Sequence, residues 1–171
     1  GAFNVEKLNH FNGLYLRSLN PAEYFARIRE FLPAEWLAYR GEQYAWQAVL
    51  LYQDKLTMLS ELAQNAWYFF EDPCPPWEPG ETTYNLDSVE KFVIGNQQAA
   101  GVLAQLYARL EALPDSEWDE EHLAPLVDGL CAELALGKAK VMQPWRVVLT
   151  GDKMSLGFFD LLRVLGKETV L

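Results

Sequence analysis

Apolar side chains recur at steps of three and four residues along almost all of this 171-residue chain, and that period dictates helices. Leu8, Phe11, Tyr15 and Leu19 form one stripe, and Ala45, Val49, Tyr52 and Leu56 another. Leu59, Leu62, Ala66 and Phe69 form a third, and Leu123, Leu126, Leu130 and Leu134 a fourth. "NPAEYFARIREFL" opens a further helix, with Asn20 as N-cap, Pro21 at the first helical position and Glu23 placed for a capping box. Val89 to Ile94 and Ala99 to Leu113 read as helical, interrupted or joined around Gly95-Asn96. The last third predicts two short helices, roughly 140–150 and 155–165, stopped by Gly151 and Gly166. Sustained alternation is absent, and "RVVL", a strand-like run, has no partner to pair with. The expected fold class is all-α.

One stretch breaks every element. "EDPCPPWEPGE", residues 71–81, holds four prolines and a glycine. We expect a two-subdomain helical bundle, with a first subdomain over 1–70, a Pro-rich connector over 71–86 and a second subdomain over 87–171. Proteolysis is expected first in the connector.

Half the residues are apolar, enough for a real core, yet no apolar run is long enough to span a bilayer. The opening residues do not have the form of a charged-then-apolar leader. Cys74 and Cys131 lack the number for a disulfide framework and the spacing for a metal site, so they are expected reduced, in a cytoplasmic protein. His10 and His122 are far apart with no matching cysteine, and "GNQQAAG" lacks the lysine and preceding strand of a phosphate loop. The acids of "DSEWDEEH" (115–122) suit the positive end of a helix capped by Ser116 or Asp119 better than a catalytic pair. No catalytic, metal or cofactor site is expected in the chain itself.

The net charge of −10 argues against nonspecific nucleic-acid binding, which needs a basic surface. Its distribution is uneven. Residues 136–171 carry Lys138, Lys140, Arg146, Lys153, Arg163 and Lys167 against three acids, whereas residues 1–135 hold eight basic residues against twenty-one acids. RNA, if bound, is expected on the last third.

Four stretches in order, "EKLNHFNGLYLRSL" (6–19), "AVLLYQDKLTMLSELAQNAWYFF" (48–70), "QPWRVVLTG" (143–151) and "GFFDLLRVLGKE" (157–168), together resemble the C-terminal half of bacterial glutamyl-tRNA synthetase, a class I enzyme. The family signature Gln-Pro-Leu-Arg, followed three residues later by Thr-Gly, stands here as "QPWRVVLTG". The resemblance implies a helical anticodon-binding region of two subdomains. The implied partner is tRNA(Glu), with tRNA(Gln) left open, and the protein would be a monomer that binds neither DNA nor membrane. ATP, with Mg, would serve a catalytic domain outside this chain. Family members usually continue past "GKETVL" by about another helix.

"KMSLG" (153–157) is similar to the Lys-Met-Ser-Lys-Ser loop that class I synthetases use with ATP. In the family that loop lies upstream of the "KLNHFNG" segment, and "DKMSLG" falls instead where a short loop ends in Ser-Pro-Gly. It is therefore not read as a catalytic loop, and Ser155 is expected at or near the N-cap of the following helix.

Reading an anticodon takes flat side chains for stacking and donors for base edges. The resemblance assigns Arg146 to an anticodon base, with a surface ion pair as the alternative. Such an exposed arginine is expected to stabilise the fold little. Phe158 matches an apolar position that packs on the anticodon, with core packing equally open. Lys55 stands where the family carries a residue that distinguishes cytosine from uracil, and lysine there is a departure from arginine's fork. Trp145 replaces the usual leucine and either fills the core or offers a stacking face. Lys140 and Lys153 are expected at phosphates. The alternative function, supported by overall acidity, is a non-catalytic helical protein-interaction scaffold.

Overall fold

The three-and-four period is realised as helices in the computed structural model, which describes residues 5–56 and 60–171 and, for 5–11, 60 and 63, the backbone alone. Leu59 and the side chains of Leu8, Phe11 and His10 thus lie outside what is described. No strand occurs among the described residues, and the fold is all-α. The chain divides into two units, Gly1–Glu71 and Asp72–Leu171.

The first unit contains α1 (Val5–Ser18), α2 (Pro21–Ile28), α3 (Ala34–Tyr39), α4 (Glu42–Leu50) and α5 (Ser60–Asn65), with 3₁₀ turns at Arg29–Phe31 and Trp67–Phe69. Asn20 caps α2 by accepting from the Glu23 N–H, and Pro21 opens the helix, where its missing N–H costs nothing. Tyr24, Ile28, Ala45, Ala48, Val49 and Phe69 are almost wholly buried. Tyrosine hydroxyls bind this core to helix ends. Tyr24 donates to the Val49 carbonyl at 2.9 Å, and Tyr44 to that of Phe69 at 2.6 Å. The Tyr52 hydroxyl lies 2.6 Å from the Asn65 carbonyl and 2.5 Å from the Tyr68 hydroxyl.

Two features differ from expectation. The stripe through Leu56 is buried as predicted, but α4 ends at Leu50. Three-residue bonds, Tyr52 N–H to Val49 and Gln53 N–H to Leu50, then carry the chain in tight turns whose burial period is close to that of a helix. Turned inward there, Gln53 donates to the carbonyls of Leu16 (2.9 Å) and Leu19 (2.8 Å) at the C-terminal end of α1. The short α3 was not foreseen; its Trp36 stacks on Phe70 at 4.4 Å.

The second unit contains α6 (Leu86–Val89), a π-turn (Glu90–Ile94), α7 (Ala99–Ala112), α8 (Glu120–Leu134), α9 (Lys138–Thr150), α10 (Phe158–Leu165) and α11 (Lys167–Val170). Residues 72–85, read above as connector, group with this unit. Their ends are cross-bonded between Cys74 and Thr83, and Tyr84 is buried with its hydroxyl donating to the Val148 carbonyl. α7, α8 and α9 pack on one another, and α10 packs on α8. Leu106, Leu110, Leu123, Leu130, Val141, Leu161 and Leu162 fill the space between, each worth roughly 1.5–3 kcal/mol relative to exposure.

Asp119, one of the two expected caps, accepts from the His122 N–H at the start of α8. The stretch expected as plain helix through Ile94 closes instead as a π-turn, with the Gly95 N–H donating to the Glu90 carbonyl at 2.7 Å. A Cβ on Gly95 would sit 2.7 Å from that same oxygen, so glycine permits the closure.

Candidate nucleic-acid interface

The sequence 143–151 explains its own geometry. Val141, Pro144, Trp145 and Val147 turn α9 into the core, which leaves Gln143 and Arg146 as neighbours three residues apart on the other side. The Arg146 Nε–H donates to the Gln143 carboxamide oxygen at 3.0 Å. One terminal nitrogen donates across the following loop to the Ser155 hydroxyl at 2.5 Å and to the Leu156 carbonyl. Beneath, the centroid of the Phe158 ring is 5.8 Å from the guanidinium carbon.

Thr150 and Gly151 fix where that loop begins. The buried Thr150 hydroxyl reaches the carbonyls of Arg146 (2.8 Å) and Asp152 (3.0 Å). Gly151 ends α9 in the left-handed region (φ 79°), and its carbonyl accepts from the Asn85 N–H at 2.8 Å. From α6, Ser88 donates to the Asp152 carboxylate at 2.9 Å. Loop 151–157 is therefore fastened at both ends, and it forms with α9 a depression of about 360 Å³ lined by Gln143, Arg146, Lys153, Met154, Ser155 and Gly157.

Each residue expected at this site has a definite place. Arg146 is half-buried and bonded rather than the fully exposed arginine anticipated from sequence. Ser155 lies near the start of α10 as expected, two residues before the N-cap Gly157, and its hydroxyl serves Arg146. Phe158 is 3% exposed and Trp145 4%, so both fill the core, the latter with its indole N–H unpartnered. Lys153 and Lys140 are exposed, on the loop and on the first turn of α9. Lys55 is exposed in the first unit.

The basic third resolves into two groups. Lys138 pairs with Asp128 (3.0 Å) and Arg163 with Asp160 (3.3 Å). Lys167 caps the end of α7, donating to the carbonyls of Glu111 and Leu113 at 2.9 and 2.7 Å. Lys153 and Arg146 line the depression while Lys140 stands exposed on the first turn of the same helix, and neither lysine has an acidic partner among the described residues. The sequence reading missed Gln143, Ser155 and the exposed Met154. The spacing of Gln143 from Arg146 was the available signal for the first. No group of His, Cys, Asp or Glu among the described residues could hold a metal ion, and no described helix is long and apolar enough to cross a membrane.

A helical unit that presents a fastened arginine, exposed lysines and a shallow depression has the features of a domain that meets single-stranded RNA. The sequence matches the family described as the anticodon binding domain over residues 21–171, and the chain belongs to that family. It is 32% identical over 170 residues to a glutamate–tRNA ligase of Thermus thermophilus, covering 99% of this chain and 33% of that one. A glutamate–tRNA ligase of Syntrophobacter fumaroxidans is 31% identical over 169 residues, covering 99% and 34%. The chain thus spans about a third of the length of the curated relatives it matches. Among solved structures, a glutamate tRNA ligase from Elizabethkingia meningosepticum, in complex with its amino acid, shares the fold with a TM-score of 0.77 at 20% identity, covering 98% of this chain and 31% of that one.

Proposed function

We propose that this chain is the anticodon-binding part of a glutamate–tRNA ligase, acting in the cytoplasm. It would position tRNA(Glu) while a catalytic domain outside the chain uses ATP, with Mg, to glutamylate it. The family match over residues 21–171 carries this reading. It also displaces the protein-interaction scaffold, whose support was acidity alone.

In this reading Arg146 meets an anticodon base. Its bonds to Gln143, Ser155 and Leu156 hold the guanidinium in place before RNA arrives, which lowers the entropy lost on binding. Phe158 supports it from below rather than stacking on a base itself. Lys153 and Lys140 supply phosphate contacts, and Lys55 meets the anticodon from the first unit. Whether tRNA(Gln) is also accepted turns on Lys55, whose single ammonium discriminates less than an arginine fork.

The test is binding of the chain to tRNA transcripts with cognate and altered anticodons. Arg146→Ala should weaken the cognate complex by roughly 1–3 kcal/mol and erase the preference between anticodons. Ser155→Ala, which loosens the arginine without removing it, should retain part of that preference. Lys140→Gln should flatten the salt dependence and leave the preference intact. An unchanged preference in a folded Arg146→Ala protein would refute the assignment.

A further inference from the structure

Beside the Arg146 depression lies a larger concavity of about 590 Å³, between the π-turn with its following residues and the first turns of α9. Lys91, Phe92, Gln97, Gln98, Lys140 and Gln143 face it. Gln143 also lines the Arg146 depression, so the two hollows share a wall.

The chemistry of its walls is specific. Phe92 packs partly on the cluster of Tyr84, Val89 and Val147 and is otherwise open to the cleft, which gives a ring supported from behind. The Lys91 ammonium lies 5.2 Å from that ring's centroid. Neither Lys91 nor Lys140 has a carboxylate partner among the described residues, and the carboxamides of Gln97 and Gln98 have no side-chain bond there. Pro144 has no N–H to give the Lys140 carbonyl, so an acceptor within α9 is left without its helical donor. Pro144 of the signature stretch thus lines this cleft and Arg146 the neighbouring one. The Asn96 carboxamide fixes the opposite wall, donating to the Phe92 carbonyl at 3.2 Å and accepting from the Gln98 N–H at 3.0 Å. π-turns are common at functional sites, and this one builds the wall that carries Phe92.

A metal would want carboxylates, and an apolar peptide would want a greasy floor. A supported ring, two ammonium groups and amides able both to donate and to accept suit one unstacked nucleotide. We propose that this cleft binds the ribonucleotide adjacent to the base that Arg146 meets. Its base stacks on Phe92, its edge is read by Gln97 and Gln98, and its phosphate lies between Lys91 and Lys140. This rests on the single-stranded RNA reading above and adds a second base to it.

The test uses the 171-residue chain and a single-stranded RNA carrying the anticodon-loop sequence of tRNA(Glu). Phe92→Leu keeps an apolar side chain against the cluster, and circular dichroism confirms that the variant is folded. It should weaken binding about ten-fold, the worth of one stacked base. Removing one loop base next to the Arg146-read base should cause the same loss, and the two losses should not add. Full affinity in Phe92→Leu alongside a weakened Arg146→Ala would overturn the second subsite and leave the anticodon reading standing. A weakened Phe92→Leu beside an unaffected Arg146→Ala would sink the arginine assignment and, with it, the placement of this nucleotide beside an Arg146-read base. No binding by the parent chain would remove both.

Discussion

Arg146 ties its own helix to the following loop with one guanidinium, and Gly151 makes that possible five residues later. Only a residue comfortable at φ 79° can turn α9 back so that Ser155 and Leu156 come under the arginine. Space is as demanding as the backbone angle. A Cβ on Gly151 would stand 3.0 Å from Tyr84 Cδ1, 3.1 Å from Tyr84 Cα and 3.2 Å from the Thr83 carbonyl oxygen. Two of these neighbours are backbone and cannot swing away. Gly151→Ala should therefore cost about 2 kcal/mol or more of stability in urea denaturation. A loss near zero would mean that the turn relaxes more freely than its contacts indicate.

At the scale of elements, the end of α8 makes the opposite choice. Ala135 occupies the left-handed C-terminal position (φ 54°) that glycine usually fills, while the Leu136 N–H closes the turn onto the Cys131 carbonyl at 3.0 Å. Relieving that Cβ should offset the added chain entropy of glycine, so Ala135→Gly should raise stability by about 0.5–1 kcal/mol. An unchanged or lower denaturation midpoint would count against it. Such ends were legible in the sequence wherever their chemistry is local: Asn20, Asp119 and Gly151 act on residues two to four away. What was not legible depends on partners distant in the chain. α4 stops at Leu50 with Gln53 turned onto α1, and α3 exists because Trp36 finds Phe70. The site divides the same way. Arg146 stood out within its motif, but the hydroxyl that holds it lies across a loop, and an apolar label on Phe158 could not say which side it faces.

Across the whole molecule, the two units differ in what burial does to their tyrosines. Burial raises the hydroxyl pKa of Tyr24 and Tyr52 in the first unit, where Tyr44 is pushed up to about 12. In the second unit burial pushes Tyr84 up to about 12. Each folded value lies above that of an unfolded tyrosine, so the stability they confer is complete below about pH 10 and is lost as pH climbs from there toward the folded values. With three such hydroxyls against one among the described residues, the first unit should unfold at lower alkaline pH than the second. Tyrosinate absorbance should then rise in step with the loss of first-unit structure. Early titration of all four hydroxyls with the helices intact would contradict this. The uneven placement of rings has an optical consequence. Six of the eight tyrosines and the stacked Trp36–Phe70 pair belong to the first unit, while helices run through both. The six tryptophans divide evenly between the units, so the tyrosine part of the near-ultraviolet dichroism should report mainly the first unit and far-ultraviolet dichroism the two together. A single unlabelled sample followed in both spectral windows would separate the melting of one half from that of the other.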